Sequence, residues 1–125
     1  MWKILLVEDE ATNREVAQVI CSAAGHQLTQ VTNGQEALDM LETQRFDLLL
    51  VDVLMPVMDG LTLTERLRAD SRWRDVPILG VTARASNADQ AEMIRVGMDA
   101  VLTKPFRNRA LLGAIDALMA RPTTP

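Results

Sequence analysis

Short apolar runs alternate along the chain with longer stretches in which apolar residues recur every three or four positions. The first run, Lys3-Ile4-Leu5-Leu6-Val7, is broken abruptly by Glu8-Asp9-Glu10. Thr12-Asn13-Arg14-Glu15 then has the Thr-x-x-Glu spacing of a capping box. Val16, Val19, Ile20 and Ala23 follow at helical spacing, and Gly25 stops that helix. Leu28 to Val31 predicts a second strand. Asn33-Gly34-Gln35-Glu36 caps a second helix with Ala37, Leu38 and Leu41 facing inward. Phe46 to Val51 predicts the third and most hydrophobic strand. Gly60 opens a third helix bearing Leu61, Leu63 and Leu67. Pro77 to Val81 predicts a fourth strand. Ser86 starts a fourth helix that ends near Gly97. Ala100 to Leu102 predicts a fifth strand, and Leu111, Ile115 and Leu118 mark a fifth helix.

Strand and helix thus alternate five times, the pattern of a parallel sheet with helices on both faces. The strands are continuously apolar, as burial on both faces requires. No internal repeat interrupts the pattern. Residues 1–121 are expected to form one domain, and Pro122-Thr123-Thr124-Pro125 reads as a tail or the start of a linker.

Composition narrows the picture. The 125 residues suffice for one domain with one core. Aromatics are 3% and Tyr is absent, so the core is expected from Leu, Val, Ile, Ala and Met. A net charge of -4 argues against nucleic-acid binding by this segment. The lone cysteine, Cys21, excludes an internal disulfide and the common zinc-finger patterns, and its neighbours Val16, Val19 and Ile20 suggest a small core residue. No apolar run reaches the length of a membrane span, and a cytoplasmic setting is expected.

In open α/β sheets, ligands bind outside the carboxyl ends of the strands. Here those ends carry Glu8-Asp9, Asp52, Thr82 and Thr103-Lys104. Three carboxylates, a hydroxyl and an ammonium are therefore expected on one edge. Clustered carboxylates repel, and a divalent cation relieves them. An oxygen-only donor set without His or Cys suits magnesium, which also recruits phosphate oxygens. Asp52 can then act as an oxygen nucleophile toward phosphorus, with Lys104 and Thr82 stabilising the transferring group. Each residue has a plainer reading when taken singly. Glu8 and Asp9 could be helix N-terminal charges, Thr82 a strand residue, and Lys104 a solvated lysine. Asp59 reads as part of an Asp-Gly turn that lets Gly60 adopt an unusual φ. His26, the only histidine, reads as a surface turn residue. Arg68, Arg72, Trp73 and Arg74 read as a small solvated basic loop. Leu112 and Met119, off the main stripe of the fifth helix, fit either a wide buried face or a partner surface.

Glu8-Asp9, Asp52 within DVLMPVMDG, Thr82-Ala83 and Lys104-Pro105-Phe106 occur in the order of the receiver domain of two-component response regulators. The sequence resembles that family over essentially its whole length to Arg121, and most resembles receivers attached to hybrid histidine kinases. The resemblance implies a flavodoxin-like (CheY-like), doubly wound five-stranded sheet of order 2-1-3-4-5 with five helices. It implies phosphoryl transfer from a histidine kinase or phosphotransfer protein onto Asp52 with Mg2+. Asp9 and Asp52 would ligate the metal directly, Glu8 mainly through water, and the backbone carbonyl of Leu54 would complete the protein ligands. A usually cis Lys104-Pro105 bond and an output surface on helix 4, strand 5 and helix 5 are further implications. Val101 stands where the family usually has an aromatic switch residue. A magnesium-dependent aspartyl phosphatase is the nearest rival, but it would need an acid at position 54, where this chain has Leu. A flavin- or nucleotide-binding module would need a glycine-rich first loop, and Glu8-Asp9-Glu10-Ala11 is acidic. A receiver that only docks and is never phosphorylated is a third alternative.

Overall fold

The computed structural model describes residues 1–55, 58–83 and 86–120. Pro56 and Val57 of the central motif, the start of the loop after Ala83, and the expected tail at 122–125 lie outside the described residues. The elements, in order, are β1 (Lys3–Val7), α1 (Ala11–Ala23), β2 (Gln27–Val31), α2 (Gly34–Leu41) and β3 (Leu48–Asp52). They continue with α3 (Gly60–Ala69), β4 (Ile78–Thr82), α4 (Asn87–Val96), β5 (Ala100–Thr103) and α5 (Asn108–Met119). The strands form one parallel sheet of order β2-β1-β3-β4-β5. The order reverses between β1 and β3, so the crevice of a doubly wound sheet opens there.

Successive side chains of each strand point to opposite faces, which divides the core in two. Leu5, Val7, Leu49 and Val51 pack with Ala37, Leu41, Leu63, Leu67 and Met93 beneath α2, α3 and α4. Ile4, Leu6, Leu48 and Leu50 pack with Ala17, Ile20, Cys21, Leu111 and Ile115 beneath α1 and α5. Each central strand therefore needs apolar residues at every position, the pattern that distinguishes it in the sequence.

Some expectations are corrected. The first helix begins at Ala11 with Glu10 as its N-cap residue, and no side chain caps it, so Thr12 lies inside the helix. Its buried residues are Ala17, Ile20 and Cys21, while Val16 and Val19 are exposed. Strands β3 and β4 both extend one residue farther than the hydrophobic runs suggest, so Asp52 and Thr82 are their terminal residues. Gly60 does not have a positive φ; among the described glycines only Gly25 and Gly97 do. Gly60 is required for space, because a Cβ there would run into the Asp52 carbonyl oxygen and lie 2.9 Å from Val51 Cγ1 and Val53 Cα. Asp59 instead caps α3, accepting a hydrogen bond from the Thr62 amide at 2.8 Å.

The basic loop is largely neutralised by its own contacts. Arg68 donates to the carbonyls of Gly97, Trp73 and Arg74 and pairs with Asp99 at 2.9 Å. Arg72 pairs with Asp70 and Glu42. Trp73 is buried in the core under α3. Leu112 and Met119 pack partly buried against the α1–α5 core. His26 accepts a hydrogen bond from the Trp2 amide through Nδ1, far along the chain from the acidic residues.

Candidate functional site

Three strand ends meet at the crevice. β1 delivers Glu8 and Asp9, β3 ends in Asp52, and β5 leads into Lys104. The backbone ladder fixes these ends: the Glu8 amide donates to the Val31 carbonyl, the Val53 amide to the Val81 carbonyl, and the Lys104 amide to the Thr82 carbonyl. Asp52 lies opposite Val81 and Thr82 opposite Thr103, so the hydroxyl-bearing residue sits one step beyond Asp52 on the adjacent strand. The Lys104-Pro105 bond is cis.

Glu8, Asp9 and Asp52 each offer a carboxylate oxygen, and these oxygens lie within 4.8 Å of one another. Glu8 and Asp52 are buried, and Asp9 is half-buried. The Lys104 ammonium is 2.7 Å from Glu8 Oε1 and 3.4 Å from Asp52 Oδ2. Glu8 Oε2 accepts the Glu10 amide, and Asp52 Oδ1 accepts the Leu54 amide at 3.3 Å. A cavity of about 20 Å³ lies below the carboxylates, with Leu6, Leu50, Ala17 and Phe106 in its walls. That apolar floor keeps water from surrounding the charges.

The electrostatics follow from this setting. Burial, then the adjacent Glu8 carboxyl, raise the Asp52 carboxyl to about 7. Burial also pushes Glu8 upward, but hydrogen bonds from Lys104, Asp52 and the Glu10 amide outweigh it and leave Glu8 below its ordinary value. Burial opposes the Lys104 charge, yet the bond to Glu8 and the fields of Asp52 and Glu8 leave its ammonium raised. The same surroundings thus push the two acids apart, Asp52 upward and Glu8 downward. The donor set fits magnesium: all oxygen, three carboxylates, and no sulfur or imidazole. A divalent cation among the three carboxylates would relieve their mutual repulsion.

Glu8, Asp9, Asp52 and Lys104, singled out in the sequence on strand ends 1, 3 and 5, come together at this edge, and Thr82 ends the strand beside Asp52. Leu54 follows β3 with its side chain exposed. Asp59 and His26 are engaged elsewhere. Arg14 was not foreseen: its Nη1 donates to the carbonyls of Glu8 at 3.1 Å and Asp9 at 2.8 Å. One signal for it exists in the sequence, since a cation in the first turn of a helix opposes the macrodipole and needs a local reason.

A doubly wound sheet with an acidic crevice at its topological switch defines the class: a flavodoxin-like domain with a site suited to a hard divalent cation. The response regulator receiver domain model matches residues 4–116, and the chain belongs to that family. Over 118 residues, 94% of this chain and 52% of its relative, it is 34% identical to the phosphate regulon transcriptional regulatory protein PhoB of Pseudomonas aeruginosa. The chain spans about half the length of the curated relatives it matches. A signal receiver domain of a signal transduction histidine kinase from Syntrophus aciditrophicus superposes with a TM-score of 0.90 at 32% identity, covering 99% of this chain and 96% of that one. The receiver domain of a Pseudomonas aeruginosa sensor histidine kinase, with a magnesium ion coordinated in its active site cleft, gives 0.89 at 34% identity, covering 96% and 98%. No helix among the described residues is long and apolar enough to cross a membrane.

Proposed function

We propose that this receiver accepts a phosphoryl group on Asp52 from the phosphohistidine of a histidine kinase or phosphotransfer domain, with Mg2+ held by Glu8, Asp9, Asp52 and the Leu54 carbonyl. The observation that carries the reading is one terminal strand carboxylate, Asp52, set among two further carboxylates and 3.4 Å from an ammonium. An Asp52 carboxylate oxygen attacks phosphorus. The P–N bond breaks, its electron pair returns to the imidazole of the donor, and an acyl phosphate forms. Magnesium, when bound, neutralises the carboxylates and the phosphoryl oxygens. Lys104 can pair with an incoming phosphoryl oxygen, and the Thr82 hydroxyl can donate to another. Attack of water on the acyl phosphate would later restore Asp52.

The added charge, about -1.5 to -2 at neutral pH, would bias Thr82 and the surface built from α4, β5 and α5. Val101 is half-buried against the α2–α4 core. Its small side chain removes the swing of an aromatic ring from any such response. Likeness to two histidine-kinase receivers supports attachment to a hybrid kinase in the cytoplasm.

Incubation with magnesium and acetyl phosphate, read by intact mass, tests the reading. One phosphoryl adduct is expected, absent after Asp52→Asn and after chelation. An adduct that persists unchanged in Asp52→Asn would place the nucleophile elsewhere.

A further inference from the structure

In the loop that carries Glu8 and Asp9, the Glu8 side chain is held by Lys104 and the Glu10 amide, and the backbone carbonyls of both acids are held by Arg14. The β1 ladder ends with the Glu8 amide on Val31, and α1 begins without a side-chain cap. Between them, the carbonyls of Glu8 and Asp9 both accept from Arg14 Nη1. Arg14 sits in the opening turn of α1, its own amide bonded to the Glu10 carbonyl, and its side chain is half-buried. A single rigid guanidinium therefore ties the first turn of the helix back to the strand end and sets where the two acids project.

We propose that Arg14 is a positioning residue for the magnesium site, holding the loop of Glu8 and Asp9 in ligating geometry. The inference rests on the reading that the pocket takes magnesium. Its value lies in the sign of the effect. By charge alone, Arg14 repels a nearby cation, so its removal should tighten magnesium binding. By positioning, its removal should weaken binding, because ligands that lose their outer support lose metal affinity, typically tenfold or more.

Calorimetric titration of the chain with magnesium chloride separates these outcomes, using wild type, Arg14→Met and Arg14→Lys. Arg14→Met is expected to raise the Kd about tenfold. Arg14→Lys, which keeps the charge and can reach a carbonyl with its ammonium, should fall between the two. The magnesium concentration giving half-maximal acetyl phosphate labelling should shift in parallel, while the rate at saturating magnesium changes little. Melting in chelator checks that the variants fold; if Arg14→Met does not, the Lys variant decides. A Kd unchanged or tighter in the folded variants overturns the proposal while leaving the site itself intact. A wild-type chain that takes up no magnesium overturns both.

Discussion

At the residue scale, Asp52 works against the stability of the fold that holds it. Its carboxyl is raised to about 7 by burial and by Glu8, so the folded chain keeps a proton that the unfolded chain has already released. Stability contributed this way is full below the ordinary carboxylate range and is lost as pH rises through about 7. The neighbours act outside that window: Glu8 is lowered, and its contribution fades only in acid, while Lys104 is raised, and its contribution fades only in strong base. In chelator, Asp52→Asn should therefore melt above wild type at pH 8, by about 5 °C, with the gap closing toward pH 5. Scanning calorimetry at several pH values measures it, and a gap independent of pH would show that Asp52 does not carry the proton.

At the element scale, the turn from β3 into α3 has two separable parts. Asp59 caps the helix, and Gly60 lets the helix start lie against the β3 backbone. Asp59→Ala should cost about 1 kcal/mol in denaturant unfolding and leave magnesium affinity unchanged. Gly60→Ala should cost about 1–3 kcal/mol and also slow labelling by acetyl phosphate, because the methyl group displaces Asp52, the proposed phosphoacceptor. The sequence shows that a glycine is needed here but suggests the wrong reason, since steric demand from a strand packed against it in space leaves no mark in the local sequence. Helix α1 teaches a related lesson. Val16-Val19-Ile20-Ala23 and Ala17-Ile20-Cys21 both satisfy helical spacing. Hydrophobicity favours the first stripe, while the sheet takes the second, where small Ala17 and Cys21 flank Ile20 and let the helix come close. The strand ends were legible because charges interrupt apolar runs sharply. Arg14 was harder to read because it acts through backbone carbonyls, which have no letter in the sequence.

At the scale of the whole molecule, one sheet separates two cores, and the candidate site lies at the edge both share. Leu111 is fully buried in the α1–α5 core, and Val19 is exposed on the same side. Leu111→Ala should cost about 2–5 kcal/mol, whereas Val19→Ser should stay within about 0.5 kcal/mol. Equilibrium unfolding of Val19→Ser tests which stripe of α1 faces inward, and that of Leu111→Ala tests the α5 side of the same core. The architecture was readable from the alternation of runs because a parallel sheet must be covered on both sides. The division of labour between the faces was not, since it depends on which helices cross to which side.

The ammonium of Lys104 already rests on Glu8 at 2.7 Å. The domain thus brings its own counterion, and a divalent ion held by Glu8, Asp9 and Asp52 would join a site whose charges are already partly balanced. The fold therefore does not depend on the metal to balance these buried charges, and metal removal would be expected to leave it intact.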